Sequence, residues 1–276
     1  MRLFTLLAHM LLAVFLTSQA ALAQLNREQP DALQDLGIDE HLGDIIPLDA
    51  KFATSEGDSV LLNELLEEGK PILLNPLYYE CPMLCGLVLD GTINVIEELD
   101  WKPGKDFIVI SVSIDPDEDT ELAARSKQNY LSQMDSTTKA GWYFLTGNKT
   151  QIDKVVEAVG FRYKEIEGTG EYAHSAAIIL LSPDGKITRY LYGISYDEFN
   201  VRSALYEAAD GKIGNTIDKI VMYCYQYDPD SGSYTPVAIN IMKLGGLATL
   251  IFLGIFLGSL WLREKRKKQT SKTDIN

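Results

Sequence analysis

Apolar and polar positions divide the chain into a long patterned middle between two charge-free apolar runs near its ends. In the middle, residues 51–54 and 59–61 flank the turn signal Glu56-Gly57-Asp58 and predict a β-hairpin. Residues 63–68 predict a short helix stopped before Gly69, and residues 71–77 are the uninterrupted apolar run of a strand covered on both faces. Leu84, Leu87, Val88, Ile93, Val95, Ile96 and Leu99 recur at mostly helical spacing, giving a helix to about Leu99. Residues 107–114 form the clearest strand, which stops at Asp115-Pro116. Residues 119–131 predict a helix with acids at its start, residues 142–145 a short strand, and residues 151–159 a helix ended by Gly160. Residues 176–181 and 187–192, joined by Ser182-Pro183-Asp184-Gly185-Lys186, predict an antiparallel hairpin, and residues 196–209 a closing helix.

Strands alternating with helices, then a hairpin and a last helix, indicate an α/β fold: a thioredoxin-like sandwich with a mixed central sheet. In that plan the loop after a central strand delivers its residues to the surface at the start of a helix. One domain, residues 43–210, accounts for the pattern. A flexible segment, residues 24–42, precedes it and a membrane-proximal segment, residues 211–243, follows.

The two apolar runs place this domain. Met1-Arg2, the run from residue 3 to residue 16 and Ala21-Leu22-Ala23 have the three parts of a signal peptide, so residues 1–23 are expected to be cleaved. Residues 244–262 carry no charge, and at about 1.5 Å per residue they reach roughly 28 Å, close to the hydrocarbon thickness of a bilayer. Trp261 suits an interfacial anchor. Arg263, Lys265, Arg266, Lys267 and Lys268 make residues 263–276 a basic cytoplasmic tail, so the domain faces the periplasm or an equivalent extracytoplasmic space from a single-pass inner-membrane anchor. The formal charge of −14 is uneven, with 17 basic against 37 acidic residues between 24 and 236. Such a surface argues against nucleic acid as a partner.

With three cysteines and three histidines, few sets of soft donors can be drawn. Cys81-Pro82-Met83-Leu84-Cys85 puts two thiols four residues apart at a strand-to-helix junction, where the helix dipole favours thiolate and both sulfurs project from one face. In an oxidising compartment the pair can close a disulfide, or it can grip one ion. His174, far downstream, adds an imidazole. Soft thiolates favour Cu(I) and zinc, and the imidazole permits a three-coordinate copper site that also tolerates Cu(II). Structural zinc wants four protein ligands, and only Cys224 and His41 are left to supply one, so zinc is the weaker fit.

The cysteine motif, then Ser111-Val112-Ser113-Ile114-Asp115-Pro116 with Asp119-Thr120, residues 142–147, His174-Ser175 and the Ser182-Pro183-Asp184-Gly185 turn, together resemble the Sco/SenC family of copper chaperones. The resemblance covers about residues 43–209. It implies the thioredoxin-like fold, copper held by Cys81, Cys85 and His174, and delivery to the dinuclear copper site of cytochrome c oxidase subunit II. An upstream copper donor or a thiol reductant would complete the set of partners. Asp115 would then sit near the metal as an outer group, or would cap the following helix. Family members usually carry an acid before the histidine, where this chain has Ala173, and most are anchored at the N-terminus rather than the C-terminus. Cys224, amid tyrosines at 223, 225 and 227, is open to reading as a further ligand, a resolving thiol, a cross-link point or a packed free thiol, the last being favoured. His41 has little support as a ligand.

Two other functions stay open at this level. A thiol-disulfide oxidoreductase would use the Cys81 thiolate to attack a target disulfide and Cys85 to resolve it, which would make the two cysteines catalytic. A tethered sensor would bind copper only as a signal. Three intervening residues, where a dedicated reductase generally has two, and a histidine that disulfide exchange does not need, favour the chaperone.

Overall fold

The computed structural model describes residues 36–81, 84–166, 168–210, 216–228 and 231–273. The signal-peptide expectation lies outside them. Two units are distinguished, a small one containing residues 162–174 and a large one containing residues 38–161 and 175 onward.

In chain order the elements are β1 (Gly37–Ile38), β2 (Lys51–Thr54), β3 (Ser59–Leu61), a 3₁₀ turn (Leu62–Leu65), β4 (Ile72–Leu77), α1 (Leu84–Glu98), β5 (Ile108–Ser113), α2 (Thr120–Leu131), α3 (Ser136–Ala140), β6 (Trp142–Thr146) and α4 (Lys149–Ala158). They continue with β7 (Phe161–Ile166), β8 (Glu171–His174), β9 (Ala177–Leu181), β10 (Ile187–Tyr192), α5 (Glu198–Ala208), α6 (Thr216–Cys224), β11 (Tyr225–Asp228), β12 (Ser233–Pro236) and α7 (Ala238–Thr273).

The large unit is built on a seven-stranded sheet ordered β10-β9-β4-β5-β6-β2-β3. β4, β5 and β6 run parallel to their neighbours in that trio, while β9 joins β4 and β2 joins β6 antiparallel, so the sheet is mixed as expected. Every residue of β4 and β5 is buried, which is why both are mostly apolar on both faces, with Asn75, Ser111 and Ser113 as the buried polar positions. α5 packs against β10, β9, β4 and α1, and α2 packs against β6 and β2. Capping sets the helix starts: Asp119, Asp135, Asn148 and Asp197 each accept a first-turn amide N–H. The cap that the sequence offered to Asp115 is therefore made by Asp119, while Asp115 Oδ1 accepts the Asp117 N–H at 2.9 Å in a tight turn.

Other differences have local causes. The helix expected at residues 63–68 is a single 3₁₀ turn that ends at Leu65, because Leu66 is already extended. Residues 38–42, expected to be flexible, are tied to the large unit: the Asp39 N–H donates to Gly160 O at 2.9 Å and the His41 N–H to the Tyr190 hydroxyl at 3.1 Å. In the small unit β7 and β8 form an antiparallel hairpin that pairs Tyr163 with His174. Neither strand was expected, since Arg162, Lys164, Glu165 and Glu171 leave no apolar period.

After α5 the chain does not pass straight to the apolar helix. β11 and β12 pair, and their aromatics lie on the domain: Arg189 stacks over Tyr227 at 4.2 Å, Tyr227 donates to Tyr190 O at 3.3 Å, and the Tyr234 hydroxyl donates to Glu207 at 2.5 Å. One residue, Val237, separates β12 from α7. Within α7, residues Ala238–Leu262 have a mean hydropathy of 2.0 and are long and apolar enough to cross a membrane.

Candidate metal centre

The cysteine loop begins where β4 leaves the sheet. Its first three amides are all engaged: the Tyr78 N–H donates to Cys85 Sγ at 3.5 Å, the Tyr79 N–H to Glu118 Oε2 at 2.9 Å and the Glu80 N–H to Glu118 Oε1 at 2.7 Å. Tyr79 is pinned at its other end, its ring stacked on Phe144 at 5.5 Å and its hydroxyl within hydrogen-bonding distance of Ser111 O and Leu145 O. Cys81 follows, half-buried, and its sulfur accepts the Cys85 N–H at 3.3 Å from the first turn of α1. Cys85 is buried. Both cysteines are thiols, and the hydrogen bond between the two side chains, followed by burial, pushes the Cys85 pKa far above the ordinary thiol range.

β9 runs antiparallel to β4 with Leu74 opposite Ile179 and Ile72 opposite Leu181. His174 stands three residues before Ala177, the first residue of β9. The Cys81 and Cys85 sulfurs and a ring nitrogen of His174 all lie within 4.8 Å of one another, forming a three-donor cluster. Three donors each about 2.0–2.3 Å from one ion in a trigonal arrangement stand roughly 4 Å apart, so a set whose members all lie within 4.8 Å of one another is of the size that one ion draws together.

Cys224 and His41 are no part of this cluster. Cys224 is a half-buried thiol at the end of α6, and His41 Nδ1 is hydrogen-bonded to Ala158 O at 2.9 Å. The residue that pattern reading misses is Glu118. It is 8 % exposed, and besides the two loop amides it accepts the Ser113 hydroxyl at 2.6 Å. Burial raises its pKa above the ordinary carboxylate value, while these three hydrogen bonds oppose the shift. The only signal in the sequence is an acid in the Asp115-Pro116-Asp117-Glu118-Asp119 run, where three other carboxylates compete for the same reading.

Comparison with known proteins agrees with this architecture. A family model described as SCO1/SenC matches residues 47–205. A bovine protein named mitochondrial SCO2 homolog is 30 % identical over 128 residues, 44 % of this chain and 45 % of its own. A Stutzerimonas stutzeri protein provisionally named for copper binding is 26 % identical over 114 residues, 40 % of this chain and 52 % of its own. The chain thus spans about half the length of the curated relatives it matches. Among solved structures, a protein of Aquifex aeolicus VF5, provisionally named for electron transfer, is 30 % identical with a TM-score of 0.55, covering 60 % of this chain and 94 % of its own. Because the family model accounts for more than half of the residues and for the strands and loops that carry the cluster, this chain belongs to the SCO1/SenC family.

Proposed function

We propose that this chain is a membrane-anchored copper metallochaperone, which takes one Cu(I) through Cys81, Cys85 and His174 and passes it to the dinuclear copper site of cytochrome c oxidase subunit II. The observation that carries the reading is the three-donor cluster. Two soft sulfurs and one imidazole match Cu(I), and the S. stutzeri relative is named for copper binding. Fewer ligands than a structural zinc site uses leave room for an incoming ligand. Cys81, the more exposed sulfur, is the natural point of exchange, whereas Cys85, buried and supported by the Tyr78 N–H, is the ligand released last. Family membership is what supports the oxidase as the partner. The basic residues after Ala238–Leu262 support a domain outside the cytoplasm, with α7 as the anchor.

The reading is tested by titrating the reduced full-length chain, in detergent, with Cu(I) against a chromophoric chelator. One tight ion is expected per chain. His174→Ala should weaken binding by at least about tenfold, since loss even of an outer partner of a metal ligand typically costs 10–100-fold. No tight binding, or an unchanged affinity in His174→Ala, contradicts it. Copper should then move from the loaded chain to reduced subunit II. Metal-free turnover of a disulfide substrate without any copper transfer would establish the oxidoreductase instead.

A further inference from the structure

We propose that Glu118 is the positioning residue of the cysteine loop: its carboxylate, reaching across from the segment after β5, fixes the backbone from which Cys81 and Cys85 present their sulfurs. The proposal rests on the copper reading for its purpose, but its geometry stands apart from copper.

Three consecutive amides, those of Tyr78, Tyr79 and Glu80, point to acceptors on this side of the loop. The first donates to the ligand sulfur of Cys85, and the next two to the two oxygens of one carboxylate. Glu118 thus reads the orientation of two successive peptide planes immediately before Cys81, and a rotation of either plane breaks a bond to it. Ser113, the last residue of β5, donates to Oε2 and so holds the carboxylate against the sheet. This Ser113–Glu118–loop bridge links two parallel neighbouring strands at the end where the thiols emerge.

A buried acid is a costly way to fill space, and an apolar residue would pack there without any desolvation penalty. What an apolar residue cannot do is accept two amide protons at once. Charge-assisted acceptors are also stronger than neutral ones, and a carboxylate alone among side chains presents two such oxygens in one plane. Glu118 touches no ligand side chain through these bonds. It acts through the backbone, so its removal should change how well the donor set closes on an ion.

Glu118→Gln retains the shape but offers one oxygen, and its NH₂ meets an amide N–H donor to donor. In the full-length chain, with folding verified by thermal melting, Glu118→Gln should lower Cu(I) affinity in chelator competition by at least tenfold. It should also change the rate of Cys81 alkylation in the metal-free chain by at least fivefold, and Ser113→Ala should shift both in the same direction by a smaller factor. A folded Glu118→Gln chain with affinity and alkylation rate within twofold of wild type overturns the proposal. If wild type binds no Cu(I), the copper reading fails while the alkylation comparison still decides the role of Glu118. Should Glu118→Gln not fold, hydrogen exchange on wild type decides: Tyr79 and Glu80 amides protected at least a hundredfold support the clamp, and freely exchanging amides overturn it.

Discussion

Asn75 lies in the middle of β4 with its side chain fully buried, and its amide nitrogen and oxygen have no hydrogen-bond partner among the described residues. It stands opposite Ser111, whose hydroxyl accepts the Trp142 indole N–H at 3.0 Å. An unsatisfied buried polar group costs about 1–3 kcal/mol, so Asn75→Leu should raise stability by about 1 kcal/mol in denaturant unfolding. A loss of stability would show that the amide is satisfied in solution by a buried water. At this scale the donor residues of the site are legible in the sequence, because cysteine and histidine are scarce and their chemistry does not depend on neighbours. Glu118 is not legible. Its role exists only once the segment after β5 lies beside the loop after β4, and a run of acids looks the same whether its side chains face solvent or the sheet.

Among the elements, those with continuous apolar runs or helical periods can be read directly: β4, β5, β9, β10, α1 and α5 fall within two residues of their expected bounds. β7 and β8 cannot, since a hairpin of charged and aromatic residues carries no apolar alternation. α6, β11 and β12 cannot either, because their tyrosines and short strands look like a membrane-proximal linker until their ring contacts are known. The contact that sets α1 is equally hidden. A Cβ on Gly91 would stand 2.2 Å from the Ile194 carbonyl oxygen, so Gly91→Ala must push α1 away from the loop before α5. Overpacking of this kind typically costs 1–3 kcal/mol, and Gly91→Ala should lower the thermal midpoint accordingly. Asp197→Ala, which removes the α5 cap, should cost about 1 kcal/mol and leave Cu(I) affinity unchanged, since the Asp197 carboxylate serves the Asn200 N–H of its own helix. A change in affinity would show that α5 is coupled to the cysteine loop through α1.

For the molecule as a whole, the feature outside the family match is the segment that joins the domain to the apolar helix. Tyr227 of β11 lies under Arg189, Tyr234 of β12 donates to Glu207, Arg189 and Glu207 pair with each other, and only Val237 intervenes between β12 and α7. The apolar helix therefore begins one residue after a strand whose tyrosine is bonded to α5. Arg189→Ala should release β11 and β12, destabilising this contact by about 1–2 kcal/mol, less than a fully buried ion pair because Glu207 is partly exposed. Limited proteolysis should then cut between residues 210 and 237 faster than in wild type, with Cu(I) affinity unaltered, whereas an unchanged cleavage rate would show that the ion pair does not hold the segment. X-ray absorption at the copper edge of the Cu(I)-loaded full-length chain reads the donor set itself. Two sulfur scatterers and one nitrogen scatterer, with the nitrogen lost in His174→Ala, are the predicted result. A copper environment without two sulfurs, or one that His174→Ala leaves unchanged, would show that Cys81, Cys85 and His174 are not the copper ligands.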